Sequence, residues 1–178
     1  MRIYTGRGDR GETDLYDRTR ISKASPVVEA AGAVDEVNAL VGTILPTGHA
    51  DVDDRLRRVQ HHLHVVQAEL ANPATDEDDP AIEAAHVERL EAWIDAADEE
   101  LEPLRSFVLP GGFDAGARLH LARTVCRRAE RRVVALAEES DRDLGRPVAY
   151  LNRLSDLLFT IARQVNAREG YEERPPSY

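Results

Sequence analysis

The stretch Ala122-Arg123-Thr124-Val125-Cys126-Arg127-Arg128-Ala129-Glu130-Arg131-Arg132-Val133 decides how this chain is read. It sets five arginines and one glutamate within three helical turns of an otherwise acidic protein. An α-helix turns about 100° per residue, so Arg123, Arg127 and Arg131 share an arc of about 80°, with Glu130 at its edge. Ala122, Val125, Ala129, Val133 and Leu136 form an apolar stripe on the opposite side. One face therefore belongs to a core. The other gathers guanidinium groups, whose forked donors suit polyanionic oxygens. A run of like charge is ordinarily a solvated, salt-bridged face. Here only Glu130 lies in the helix to answer five arginines, so their repulsion calls for an anion from a ligand or a neighbouring subunit.

The bulk composition agrees with a small-anion reading. At 178 residues the chain is expected to be one domain. Its 42% hydrophobic and 5% aromatic content suits helices packed through Ala, Val and Leu. A net charge of −10 disfavours nucleic acid or an anionic membrane as partner. Lys23 is the only lysine; with so much Asp and Glu, this fits a salt-rich cytoplasm or codon bias equally. The single cysteine, Cys126, excludes an internal disulfide and is expected to be a partly buried structural thiol in a reducing compartment. No signal peptide or long apolar run is visible, so the expected location is cytoplasmic.

Outward from the arginine helix, which spans about 114–139, the periodicity predicts four more. The first runs from about Pro26 to Leu45, with Ser25 placed to cap it; the second from Asp51 to Ala71. The third runs from Ala81 to Leu101 and the fifth from Pro147 to Arg168. Asn72-Pro73 and the acidic run Asp76–Asp79 read as a loop, and Pro103 and Pro110-Gly-Gly112 bracket the apolar segment Phe107-Val-Leu109. Residues 1–24 have no helical period, 170–178 read as a loose tail, and no strand pairing is expected. Short links between long amphipathic helices predict an all-α, antiparallel five-helix bundle.

Other residues carry candidate chemistry. Thr5-Gly6-Arg7-Gly8-Asp9-Arg10-Gly11-Glu12-Thr13-Asp14 combines glycines, hydroxyls and positive charge. Such a loop cradles phosphate through backbone amides, or else is a mobile terminus. It lacks Walker and Rossmann spacing. Lys23, just beyond, favours a polyphosphate clamp. On the fifth helix Asn152, Asp156, Phe159 and Arg163 share one arc, fit either for a ribose or base edge or for helix–helix hydrogen bonding. His61, His62 and His64 point to different sides and make no ligand set. Glu83-x-x-His86 is half of a di-iron motif whose second half is missing, so it reads as a surface or packing feature.

Five ordered blocks then resemble the PduO-type ATP:cob(I)alamin adenosyltransferases: Ile3–Thr13, Glu29–Asn38, Phe107–Gly112, Leu119–Arg132 and Tyr150–Phe159. The resemblance implies a homotrimer with active sites between subunits, one domain over 1–178, and a nucleotide-binding loop at 1–24. It implies that Thr5, Gly6, Arg7, Gly8, Thr13, Asp14 and Lys23 line the triphosphate. Arg127, Glu130, Arg131 and Asn152 would complete the ATP site, with Arg128 in support. Asp35 and Arg123 would pair across the interface, and Phe107 would lie against the lower face of the corrin. Arginine stands at Arg7 or Arg10 where the family usually has lysine, which keeps the charge and changes its geometry.

The implied reaction is attack of Co(I) on the ribose 5′ carbon of ATP, giving adenosylcobalamin and triphosphate. Catalysis would rest on Phe107, Asp35, Arg123 and Arg127. Arg127, Arg131, Lys23, loop amides and Mg²⁺ would stabilise the leaving group. A reductase and an adenosylcobalamin-dependent client enzyme are the implied partners. The alternative is a cobalamin-binding delivery protein with little or no turnover. Phosphoryl transfer lacks an obvious base to activate an acceptor.

Overall fold

The computed structural model describes residues 3–72 and 79–177. Within them the elements are β1 (Glu12–Asp14), β2 (Arg20–Ser22), α1 (Pro26–Ile44), α2 (Ala50–Ala71), α3 (Ala84–Asp98), α4 (Asp114–Glu139) and α5 (Gly145–Arg168). Pro73 and residues 76–78 of the expected acidic loop lie outside the described residues, as does Tyr178.

The helices start where their sequences allow. Ser25 Oγ accepts the Val28 amide at 3.4 Å, with Pro26 in the first turn of α1. α3 is shorter than expected at both ends. The Glu83 amide donates to His86 Nδ1 at 2.9 Å and fixes the start at Ala84. A turn in which the Leu101 amide donates to the Asp98 carbonyl at 3.0 Å closes it. Glu83-x-x-His86 is thus an N-terminal cap.

α5 lies between α3 and α4, α4 also covers α1, and α1 carries α2. Arg118 to the Thr43 carbonyl, Arg128 to Glu36 and Arg132 to Glu29 rise along α4 as they fall along α1, so these two helices are antiparallel. Arg153 with Glu91 and Gln164 with Glu100 rise together, so α3 and α5 are parallel, as odd-numbered members of an up-and-down bundle must be. The core is aliphatic: Val34, Leu56, Leu63, Leu70, Leu119, Leu154, Leu158 and Ile161 are fully enclosed. Each buried leucine contributes about 1.5–3 kcal/mol. Cys126 is wholly rather than partly buried, its thiol donates to the Leu151 carbonyl at 3.3 Å, and burial pushes its pKa up. Among the described residues no helix is long and apolar enough to cross a membrane.

Two expectations are corrected. Residues 1–24 contain an antiparallel hairpin, with Glu12 opposite Ser22, Thr13 opposite Ile21 and Asp14 opposite Arg20. Of the expected loose tail, residues 171–174 are docked: the Leu109 amide donates to the Arg174 carbonyl at 2.8 Å, and Tyr171 packs edge-on against Phe113 at 5.7 Å.

One polar contact fixes the approach to α4. Asn166 Nδ2 donates to the Gly111 carbonyl at 3.0 Å, and the Asn166 amide fills the space where a methyl on Gly112 or Gly116 would sit. Gly116→Ala should therefore overpack this contact, costing about 1–3 kcal/mol. A thermal melt should show a Tm several degrees lower; an unchanged Tm would deny the contact its role.

A second polar cluster joins α2, α3 and α5. The fully buried Tyr150 has its hydroxyl 3.2 Å from His62 Nδ1, and the His86 ring meets His62 edge-on at 4.6 Å. Burial, then the positive field of His86, Arg89, His61 and Arg58, lowers the His62 pKa from 6.5 to about 4. The unfolded chain binds this proton below about 6.5 and the folded chain only near 4, so stability must fall as pH drops through that window. His62→Asn should flatten the dependence of Tm on pH between those values, and an equally steep profile would assign the acid sensitivity elsewhere.

Candidate active site

The glycine-rich segment is held in shape by its own residues. The Arg7 amide donates to Thr5 Oγ1 at 3.4 Å, and turns follow from Asp9 to the Gly6 carbonyl and from Gly11 to the Gly8 carbonyl. The Lys23 amide returns to the Gly11 carbonyl at 2.8 Å. Its ammonium lies 3.0 Å from where a Gly8 side chain would begin, so glycine at 8 makes room for the cation. Arg20 ties the ladder together, donating to Glu12 and Asp14 at 3.1 Å each and to the Arg7 carbonyl. Asp14 also pairs with Arg7 at 2.9 Å. Thr5, Gly6, Arg7, Gly8, Thr13, Asp14 and Lys23 thus share one lobe. Arg20, its tie, escaped the sequence reading; opposite charges at 12, 14 and 20 are the only signal for it.

On α4 the arginine face divides. Arg128 pairs with Glu36 at 2.6 Å and Arg132 with Glu29 at 3.1 Å, both carboxylates on α1. The expectation that only Glu130 answers this charge is corrected: α1 neutralises two of the five arginines. Glu130 instead accepts from Asn152 Nδ2 at 3.0 Å, which orients that amide. Arg127 and Arg131 are exposed and have no ion pair among the described residues. Asp35 is exposed and accepts from Gln67 Nε2 at 3.3 Å, so within one chain it does not pair with Arg123.

Arg123, one turn before Arg127, borders a different environment. It lines a cleft of about 520 Å³ with Leu104, Ser106, Phe107, Val108 and Phe159. Phe107 is 81% exposed at its lip, an unusual position for a large apolar side chain in water. Two guanidinium groups lie near the Phe159 ring, Arg123 at 6.0 Å and Arg163 at 5.9 Å from its centroid, with the His120 ring edge-on at 5.9 Å. Burial, followed by Arg123, lowers the His120 pKa and favours its neutral form. Arg123 Nε is buried without a hydrogen-bond partner among the described residues. Of the fifth-helix arc, Arg163 proves buried, Asp156 pairs with Arg153, Asn152 meets Glu130 and Phe159 lines the cleft.

Among the described residues no three His, Cys, Asp or Glu side chains form a metal-binding group. What α4 does assemble is a sequence of environments. An apolar cleft at Arg123 is followed by unpaired guanidinium groups at Arg127 and Arg131, successive turns about 6 Å apart.

The chain matches the cobalamin adenosyltransferase family model over residues 3–165. It is 43% identical over 171 residues to the corrinoid adenosyltransferase of Mycobacterium tuberculosis, covering 93% of this chain and 89% of that protein. Against the corrinoid adenosyltransferase of Bos taurus it is 39% identical over 182 residues, covering 97% and 75%. The solved structure of a variant PduO-type ATP:corrinoid adenosyltransferase from Lactobacillus reuteri, complexed with cobalamin and ATP, superposes with a TM-score of 0.92 at 34% identity, covering 98% of this chain and 96% of that one. A second variant of that type from the same organism, complexed with ATP, gives a TM-score of 0.90 at the same identity and covers 98% and 100%. With its free arginine pair beside an apolar cleft and this likeness along nearly its whole length, the chain belongs to the cobalamin adenosyltransferase family.

Proposed function

We propose that this protein transfers the 5′-deoxyadenosyl group of ATP to the cobalt of cob(I)alamin, releasing triphosphate. The observation that carries the reading is the order of environments on α4. A polyanion site at Arg127 and Arg131 adjoins an apolar cleft at Arg123 and Phe107, so phosphates and corrin have separate seats one turn apart. Cob(I)alamin and ATP are the substrates. The cobalt lone pair forms the Co–C bond at the 5′ carbon as the C–O bond breaks, and that electron pair leaves on the triphosphate.

Each residue then has a task. Arg127 and Arg131 meet the leaving group, and Lys23 with the Gly6 and Gly8 backbone encloses it. Thr5, Arg7, Thr13 and Asp14 shape that enclosure, and Asn152, set by Glu130, reads the nucleoside. Arg128, engaged with Glu36, supports the face rather than touching phosphate. Mg²⁺ on the triphosphate would add charge neutralisation; with no carboxylate cage among the described residues, it would depend chiefly on phosphate and water oxygens. Phe107 excludes water and the lower axial ligand from the corrin, which eases reduction of Co(II) to the nucleophilic Co(I).

The β1–β2 hairpin packs chiefly on itself, and Arg123 has a buried donor without a partner among the described residues. Both features leave room for a neighbouring subunit, and with the family resemblance they support a homotrimer in which the lobe of one subunit closes over α4 of the next and Asp35 pairs with Arg123 across the boundary. The enzyme works in the cytoplasm, takes its electron from a reductase and passes adenosylcobalamin to a client enzyme.

Mixing protein, ATP, Mg²⁺ and chemically reduced cobalamin should give the Co–C product spectrum and triphosphate; binding of both substrates without turnover would favour a delivery protein. Phe107→Ala should leave ATP affinity unchanged and lower adenosylation from cob(II)alamin plus reductant by about a hundredfold, the scale of a lost transition-state contact. Wild-type turnover in that variant would remove Phe107 from the mechanism.

A further inference from the structure

Phe107 is exposed, and an exposed side chain on a loop can be precise only if its backbone is held from elsewhere. The segment carrying it is fastened on both sides. Before it, Arg163 Nη2 donates to the Glu102 carbonyl at 3.1 Å. After it, the Leu109 amide donates to the Arg174 carbonyl at 2.8 Å, and the Gly111 carbonyl accepts from Asn166. Two of these fastenings converge on one ion pair. Arg163 Nε donates to both carboxylate oxygens of Glu173, at 3.0 and 3.1 Å. Glu173 adjoins Arg174, so the pair that holds Glu102 also holds the strand reaching Leu109.

The pair is sheltered. The Arg163 side chain is 5% exposed and that of Glu173 24%. An ion pair in such a place is costly to break, because its arginine is left buried and uncompensated. Arg163 also lies 5.9 Å from the Phe159 ring centroid, and Phe159 lines the cleft together with Phe107. Glu173 and Arg174 thus connect, through Arg163 and the Leu109 backbone, to the surroundings of both aromatic side chains of the cleft without lining it.

We propose that residues 171–175 form a strap that positions Phe107, and that Glu173 and Arg163 are positioning residues for adenosyl transfer, acting through Phe107 rather than on either substrate. The inference rests on the reading of Phe107 as the residue facing the corrin. A loosened strap leaves ATP binding intact and admits water or the lower ligand beneath the cobalt, so the loss falls on turnover and not on the KM for ATP.

The test uses the full-length protein with Glu173→Ala, and Glu173→Gln as the milder variant that keeps an acceptor for Arg163. Hydrogen exchange at the Leu109 amide reads the strap itself and should accelerate in both, more in the alanine variant. Turnover from cob(II)alamin plus reductant should fall about tenfold in Glu173→Ala, the scale of a small misplacement, at unchanged KM for ATP. On a Phe107→Ala background neither change at 173 should lower turnover further. Faster Leu109 exchange with unchanged turnover, beside an impaired Phe107→Ala, would overturn the positioning role while leaving the reading of Phe107 intact. Unchanged exchange would overturn the strap. Wild-type turnover in Phe107→Ala itself would remove the reading on which the proposal rests, and the proposal with it.

Discussion

The close approach of α4 to α5 is the constraint on which the rest of the molecule depends. Ala122, Cys126 and Ala129 present almost no side-chain bulk, and all three are fully enclosed. Their small volumes let the two helices pack tightly enough for the Cys126 thiol to reach the Leu151 carbonyl. Once that stripe is buried, the rotation of α4 about its own axis is settled, because the apolar positions permit no other face inward. Arg127 and Arg131 must then point outward, Glu130 must meet Asn152, and Arg123 must sit beside Phe159. The site follows from core packing.

That dependence explains what was legible in the sequence. α1, α2, α4 and α5 were readable nearly to their ends because long, strongly periodic stripes leave one choice of face. The hairpin was not, because each strand has three residues and only Thr13, Leu15 and Ile21 are half-buried, too little alternation to register as a period. The docking of the tail was hidden for a different reason. It rests on backbone groups and one ion pair between residues far apart in the chain or on different elements, and no local composition encodes those. The division of the arginine face lay between these extremes. Glu29 and Glu36 stand seven residues apart on one face of α1, a spacing that marks a charged stripe but does not name its partner.

Electrostatics reinforce the division. In a chain of net charge −10, long-range forces repel a polyphosphate, so recognition has to be local. Arg128 and Arg132 are neutralised internally, which leaves Arg127 and Arg131 as the exposed arginines of this face without an ion pair among the described residues, and the lone lysine is stationed against Gly8 in the glycine-rich segment. Few cations in set places discriminate the shape of an anion better than a broad positive field. Arginine at these points adds direction, since its planar fork fixes where the oxygens go.

Cys126 lies at the centre of the same helix, sealed from solvent with its pKa pushed up and its S–H hydrogen-bonded to the Leu151 carbonyl. The proposed chemistry joins an alkylating carbon to an exceptionally strong nucleophile, and its product holds a labile carbon–metal bond. A thiolate near that ground would be a rival nucleophile, open to alkylation in the metal's place or to stripping the finished alkyl group. Because the chain's one sulfhydryl is also the small residue that lets α4 meet α5, the packing that builds the site also removes its most reactive bystander.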